Sequence, residues 1–373
     1  MSISATHTSD AKLKSEAEIA RDRAYIRWWL YGVCLLILAM VVVGGATRLT
    51  ESGLSITEWK PIHGAIPPLS LAEWQEEFEK YRQIPEYQLI NKGMSLEEFK
   101  FIFWWEWGHR LLGRFIGVAF FVPLAIFWMQ GRLEPFLKPR LVFGLFLGGL
   151  QGAVGWWMVA SGLVERTDVS QYRLATHLTL AFFIFAYLFW IARRLAPKQD
   201  TEPVERDRLL PVGYLVLALV FVQLFLGGLV AGLNAGFTYN TWPLMDGDLV
   251  PSGLLSISPW WLNFFENVLT VQFQHRVTAY LLVAAGFYLV WRTCRVSSSK
   301  SVRLPAFHLG AFIFLQMVMG IVTLLGFGTF TGQVSMHQLG TALFHQGFAV
   351  FVLAAAVDYI ASLKGQYPIR QRA

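Results

Sequence analysis

The chain has 373 residues and a net charge of +6, yet only 15 % of it is charged and 55 % is hydrophobic. A mean hydropathy of +0.45 excludes an ordinary soluble domain. The basic excess lies in loops and tails rather than as a stripe on a soluble domain, which argues against a nucleic-acid partner.

Residues 1–24 form a polar tail with no cleavable signal pattern, because the apolar run that follows is full length rather than a short signal core. Eight apolar stretches reach the roughly 20 residues that a bilayer crossing needs. They fall near 27–47, 104–129, 140–162, 173–192, 211–233, 265–291, 305–327 and 334–360. Basic residues collect on one side of this ladder. Lys12, Lys14, Arg21, Arg23 and Arg27 precede the first span, and Arg132, Lys138 and Arg140 follow the second. Arg193, Arg194, Lys198, Arg206 and Arg208 follow the fourth, Arg292, Arg295, Lys300 and Arg303 the sixth, and Lys364, Arg370 and Arg372 end the chain. The opposite loops are sparse in basic residues, and the first is acidic, with Glu73, Glu76, Glu77 and Glu79. The positive-inside rule therefore predicts both termini in the cytoplasm. Cys34 and Cys294 fall on different spans at different depths, so no disulfide is expected, and no CxxC or CxxCH occurs.

The halves resemble each other. Gly44-Gly45 ends the first span and Gly227-Gly228 lies near the end of the fifth. Gly53 and Gly236 follow at equal offsets, and then Trp59 with Pro61 and Trp242 with Pro243. A Gln-x-x-x-Gly pattern marks the third span (Gln151, Gly155), the fifth (Gln223, Gly227) and the seventh (Gln316, Gly320). Helix packing accounts for the glycines and interhelical hydrogen bonding for the glutamines. Four spans per unit is an even number. The expected fold is thus an all-α integral membrane protein of two tandem four-helix bundles, related by a pseudo-twofold axis along the membrane normal. The divisions are a tail (1–24), an N-terminal half (25–195), a linker (196–210), a C-terminal half (211–361) and a tail (362–373). The outer loop of the first half, 48–103, is long. It carries two capping-box patterns that predict amphipathic helices, one from near Ser70 and one from Ser95 running toward the second span. The matching loop, 234–264, is shorter. This asymmetry suggests that the first half handles something exchanged and the second holds something fixed.

Ionisable groups inside a bilayer are costly and usually functional. Four histidines lie just inside the outer ends of the even-numbered spans: His109, His177, His275 and His337. Neutral imidazole is a common axial ligand of haem iron, and two facing helices can hold one iron from both sides. The expected pairs are His109 with His177, and His275 with His337. Arg110 and Arg276 each follow a histidine. They point about 100° away from it and suit propionates at the outer rim, or snorkel outward. Glu106 precedes His109 by three residues, on the same face, whereas the equivalent position holds Gln272. A carboxylate beside only one of two haem sites suggests that chemistry occurs there and electron transfer at the other. Its structural alternative is a salt bridge with a nearby arginine. His345, two turns beyond His337, reads as a hydrogen-bonded core histidine or an alternative ligand, His308 as structural, and His63 as an exposed loop residue or one that approaches the first site.

The segments 44–59 (GGATRLTESGLSITEW), 98–114 (EFKFIFWWEWGHRLLGR), 175–182 (ATHLTLAF), 232–247 (GLNAGFTYNTWPLMDG), 272–276 (QFQHR) and 336–340 (MHQLG) together resemble the haem A synthase family, the Cox15/CtaA group. The resemblance covers essentially the whole chain after the tail. It implies an oxidoreductase that converts the C8 methyl of haem O to the formyl of haem A by successive hydroxylations through a gem-diol. It also implies a resident haem b in the C-terminal half, at His275 and His337, with Arg276 beside it. The substrate haem O would sit at His109 and His177, with Arg110, and Glu106 would be required for turnover. A haem O-producing farnesyltransferase would act upstream, haem-copper oxidases would receive the product, and an electron acceptor of unspecified identity is required. Family members tend to self-associate, which lipid-facing glycines permit here. Some relatives carry a cysteine pair in the first outer loop. This chain has none there, which places it with the proteobacterial and mitochondrial branch, and the lack of an Arg/Ser-rich transit peptide favours a bacterial plasma (inner) membrane. A non-catalytic di-haem b-type electron carrier explains the histidines equally well but not Glu106. A parallel-repeat transporter fits less well, since the polar residues gather toward the outer face rather than the bilayer centre.

Overall fold

The computed structural model describes residues 14–60, 63–164, 166–197, 201–328 and 334–369. Pro61, Lys12, Lys198, Arg370 and Arg372 of the patterns above lie outside the described residues. Eight helices are long and apolar enough to cross a membrane: α1 (Glu16–Leu49), α4 (Leu96–Met129), α5 (Leu137–Val159), α6 (Gln171–Leu195), α7 (Pro203–Gly232), α9 (Val268–Val296), α10 (Lys300–Phe327) and α11 (Met336–Lys364). The chain is a multi-pass membrane protein. Short helices α2 (Leu71–Tyr81) and α3 (Pro85–Leu89) lie between α1 and α4, and α8 (Asn263–Glu266) precedes α9.

Several helices extend beyond the apolar windows because their starts are fixed by caps rather than by hydropathy. Ser15 accepts from Glu18 N and the Glu18 side chain returns the bond, so α1 begins inside the polar tail, at residue 16 rather than 25. Ser70 with Glu73 starts α2 in the same way. Ser95 with Glu98 starts α4, and the amphipathic helix expected from Ser95 is the first turns of the second span itself, one continuous 34-residue helix. Ser335 with Gln338 starts α11. Each such cap contributes about 1 kcal/mol. The expected linker is likewise helical from Pro203, and α11 runs on to Lys364.

Helices α1, α6, α7 and α11 pack on one another as an inner ring and carry most of the buried core, while α4, α5, α9 and α10 lie outside and expose apolar side chains such as Phe115, Phe121, Phe146 and Phe314. The same pairs touch in both sets of four: α1 with α4 and α7 with α9, α5 with α6 and α10 with α11, α1 with α6 and α7 with α11. The end of the molecule near the chain termini is locked by Arg23, 1 % exposed. Its guanidinium grips Glu134 with Nε at 2.6 Å and Nη2 at 2.8 Å, and donates to the Tyr367 and Pro368 carbonyls. A bidentate, fully hydrogen-bonded pair is the form in which a buried arginine is tolerated.

At the opposite end, α2, α3 and the start of α4 form a cap with its own apolar cluster: Leu54, Trp74, Phe78, Tyr81, Ile84 and Phe99 at its centre. Cys34 and Cys294 are both free thiols.

Candidate haem sites

The glycines of the sequence repeat are where the histidine rings rest. A Cβ built on Gly44 of α1 would stand 3.1 Å from His109 Nε2, and one on Gly155 of α5 would stand 2.9 Å from His177 Cε1. In the second set of four, a Cβ on Gly227 of α7 would stand 3.4 Å from His275 Cε1, and one on Gly320 of α10 would stand 2.9 Å from His345 Cε1. The rings of His109, His177 and His345 therefore sit where a Cβ on the facing helix would crowd them, whereas a Cβ on Gly227 would meet His275 at ordinary contact. The second glycine of each pair has a different duty. Gly45 receives Leu343 and Gln346 of α11, and Gly228 receives Ala175 of α6, so these positions let inner helices approach.

The glutamine of each Gln-x-x-x-Gly pattern addresses the same histidine as its glycine. Gln151 Nε2 donates to the His177 carbonyl at 3.1 Å, Gln223 Nε2 to the His275 carbonyl at 3.1 Å and Gln316 Nε2 to the His345 carbonyl at 2.9 Å. The Gln151 amide is also 3.3 Å from both ring nitrogens of His177, and the Gln223 amide 3.2 Å from both of His275. The Oε1 atoms of Gln151, Gln223 and Gln316 are buried without a hydrogen-bond partner. Interhelical hydrogen bonding thus accounts for these glutamines, and the bond orients a histidine.

The histidines come together in two groups. His109 and His177 lie within electrostatic reach of each other, and so do His275 and His345. His337 is exposed in the first turn of α11, with its Nε2 3.1 Å from a Cβ built on Gly326, near the end of α10. The residue in the cradle equivalent to that of His177 is therefore His345. Hydropathy and order could not separate the two histidines of α11, because depth is set by the facing helix α10. His63 is exposed in a 3-10 turn (His63–Ala65), and His308 stacks on Phe312 within α10.

Glu106 and Gln272 occupy matching places and are equally buried, at 2 % and 3 % exposed. Glu106 Oε2 accepts from Ser55 Oγ and Ile56 N, both at 2.7 Å, and Oε1 accepts from Arg110 Nη2 at 2.6 Å. Arg110 also donates to the Ile56 and Glu58 carbonyls and lies 5.7 Å over the Trp59 ring. Gln272 Nε2 donates to the Ala235 and Thr238 carbonyls, both at 2.8 Å, and its Oε1 accepts from Arg276 Nη2 at 3.0 Å. Arg276 donates in turn to the Tyr239 and Thr241 carbonyls. Both arginines thus fasten the loop that follows α1 or α7 to α4 or α9, rather than snorkelling outward. Arg276 Nε remains buried without a partner. The salt bridge of Glu106 is real, and Ser55 and Ile56 are partners that no local sequence signal marked.

The donor set fits haem. Among the described residues no three His, Cys, Asp or Glu side chains converge as a metal-ion cage requires. Two imidazoles are enough for a haem iron, because the macrocycle supplies the remaining ligands.

The sequence description of the cytochrome oxidase assembly protein family, COX15-CtaA, matches residues 27–357. The chain belongs to this family. Curated relatives named heme A synthase are similar to it over nearly their full length. That of Brucella anthropi is 56 % identical over 350 residues, 93 % of this chain and 94 % of its own. Those of Mesorhizobium japonicum and Chelativorans sp. are each 54 % identical over 353 residues, covering 94 % and 95 % of both chains respectively. The COX15-CtaA match runs from within α1 to within α11, and includes every residue of both histidine groups.

Proposed function

We propose that this COX15-CtaA chain is a haem A synthase, an oxidoreductase that converts the C8 methyl of haem O to the formyl of haem A by successive hydroxylations and loss of water. One observation carries the reading beyond the relatives' names. Two facing imidazoles, His109 and His177, share their half with a buried carboxylate, while the matching place in the other half holds an amide.

Haem O binds between α4 and α6, with His109 and His177 as its iron ligands. The glycine cradles and the Gln151 bond fix the two rings before the substrate arrives, which removes ordering costs from binding. Glu106 lies three residues before His109, on the same face of α4. Held by Ser55, Ile56 and Arg110, it is preorganised to stabilise positive charge as the methyl group is oxidised, and Ser55 Oγ is placed to carry a proton to or from it. Arg110 holds the loop after α1 against α4 beside the site.

A haem b resides between α9 and α11, and when bound it supplies one-electron transfer. His275 is one ligand. His337, which heads α11 in the order of the repeat, is the second, and Arg276 Nε offers a propionate the donor it lacks. The Gln316 and Gly320 cradle favours His345 as the alternative ligand on the same helix. Electron paramagnetic resonance of the reduced-and-reoxidised, haem-loaded protein separates them: the variant that loses the low-spin bis-imidazole signal, His337→Ala or His345→Ala, identifies the ligand.

The basic loops support cytoplasmic termini and a bacterial inner membrane. A farnesyltransferase supplying haem O, an external electron acceptor and a second copy of the chain are the partners this chemistry requires or permits. The test is extraction and chromatography of haems from protein made with and without a haem O-producing enzyme. Haem A or its hydroxylated precursor is expected only with that enzyme, beside haem B in both. Two equivalents of unmodified haem B in both would establish the di-haem electron carrier instead.

A further inference from the structure

The cap over the first four helices hides a carboxyl that the chemistry above leaves unused. Glu86 is the second residue of α3, is 5 % exposed, and its Oε2 has no hydrogen-bond partner. It faces the hydroxyl of Tyr81, itself fully buried and accepting from Asn91 Nδ2 at 2.8 Å. The charged groups facing it are Glu51 in the turn after α1, Glu106 of α4 and Arg48 of α1. Arg48 spends its Nη2 on the Ala231 carbonyl and Asn234 Oδ1. Between Glu106 and the exposed Glu51 lies a turn that carries the buried Ser52 and Ser55 and the half-buried Thr50, with Ser55 Oγ 3.0 Å from the Ser52 carbonyl. Ser55 Oγ binds Glu106 Oε2 at 2.7 Å, and Ser52 Oγ, in a residue of 0 % exposure, is 2.7 Å from Thr50 Oγ1.

We propose that Glu86 is a proton-relay residue, exchanging protons between the Glu106 site and the aqueous face at Glu51, the two carboxylates that face it. This rests on the first half being the oxidising site. Hydroxylating a methyl group removes hydrogen from carbon, and dehydrating a gem-diol needs a proton delivered to the departing hydroxyl and one taken from the other, so both steps call for proton transfer beneath the apolar cap. Burial, then the like charges of Glu51 and Glu106, push the Glu86 carboxyl up to about 8. A group near that value both gives and takes a proton at neutral pH, where a surface carboxylate does not. The coupling also has the right sign. A proton arriving on Glu106 removes a negative charge facing Glu86, which weakens Glu86's hold on its own proton and releases it outward.

The experiment uses the haem-loaded full chain and three proteins: wild type, Glu86→Gln and Glu86→Asp. Infrared titration reads the protonated-carboxyl band, and single-turnover conversion of haem O reads the rate against pH. In the wild type a carboxyl band titrates near pH 8. Glu86→Gln lacks it, converts haem O about ten-fold or more slowly and loses the pH dependence of that step, while Glu86→Asp restores both in part. The resident-haem spectrum is unchanged in all three. A wild-type rate and pH profile in Glu86→Gln would overturn the relay. So would a wild-type titration without the band, a reading that holds even if a variant folds poorly. Wild-type protein that forms no haem A refutes instead the reading on which the relay rests.

Discussion

Replacing Gly155 by alanine tests the cradle directly. The new Cβ would stand 2.9 Å from His177 Cε1, whereas carbon atoms in optimal contact sit at about 3.5–4.0 Å. Something must open by about half an ångström or more. The partner is an imidazole ring whose backbone carbonyl is tied to Gln151, so it lacks the freedom of a flexible side-chain end. Overpacking of this kind costs about 1–3 kcal/mol, which at an iron ligand translates into about 5- to 150-fold weaker haem O binding. The gain in helix propensity from glycine to alanine, about 1 kcal/mol, acts on the fold rather than on the ligand's position. The control is Gly227→Ala, where the Cβ would stand 3.4 Å from His275 Cε1, an ordinary contact. Haem O titration of protein already carrying its resident haem, followed by difference absorbance, measures both. Gly155→Ala is expected to bind haem O several-fold to a hundred-fold more weakly, and Gly227→Ala to match the wild type. Equal affinity in the wild type and Gly155→Ala, with binding lost in His177→Ala, would refute the idea that the glycine sets the ring.

Glu106→Gln puts an amide NH2 opposite donors that a carboxylate accepts from, Ile56 N–H and Ser55 Oγ, at a cost of about 1–3 kcal/mol for the unsatisfied group. Haem A formation should stop while the resident-haem spectrum persists, and a normal haem A yield would remove Glu106 from the chemistry. Cap stability should depend on pH through Glu86. Its folded value of about 8 lies above the unfolded 4.5, so the native state holds a proton that the unfolded state has released. That contribution is fully present below about pH 4.5 and is lost as pH rises toward 8. Hydrogen exchange across residues 71–91, corrected for intrinsic rate, should therefore accelerate over that window in the wild type and be flat in Glu86→Gln. A flat wild-type profile would show that Glu86 ionises alike in both states.

By itself the sequence determined the features that depend on near neighbours along the chain. Eight apolar runs, the capping boxes at Ser70 and Ser95, and the doubled glycines and glutamines were all legible, because a span, a cap and a repeat are each encoded within a turn or two. The contrast of Glu106 with Gln272 was legible too, since it needs only alignment of the two halves. The tertiary structure decided which groups those residues meet. Ser55 and Ile56 reach Glu106 from about fifty residues away, and no local pattern encodes that bond. Arg110 and Arg276 hold loops because the chain after α1 and after α7 folds back across α4 and α9. His345 shares the Gln and Gly cradle because α10 lies opposite it at that depth, a matter of helix register between neighbours that hydropathy does not carry. Glu86, in a short loop helix that gives no signal in sequence, owes its burial to the cap cluster closing over it, and a carboxyl's environment, rather than its identity, sets what it can do.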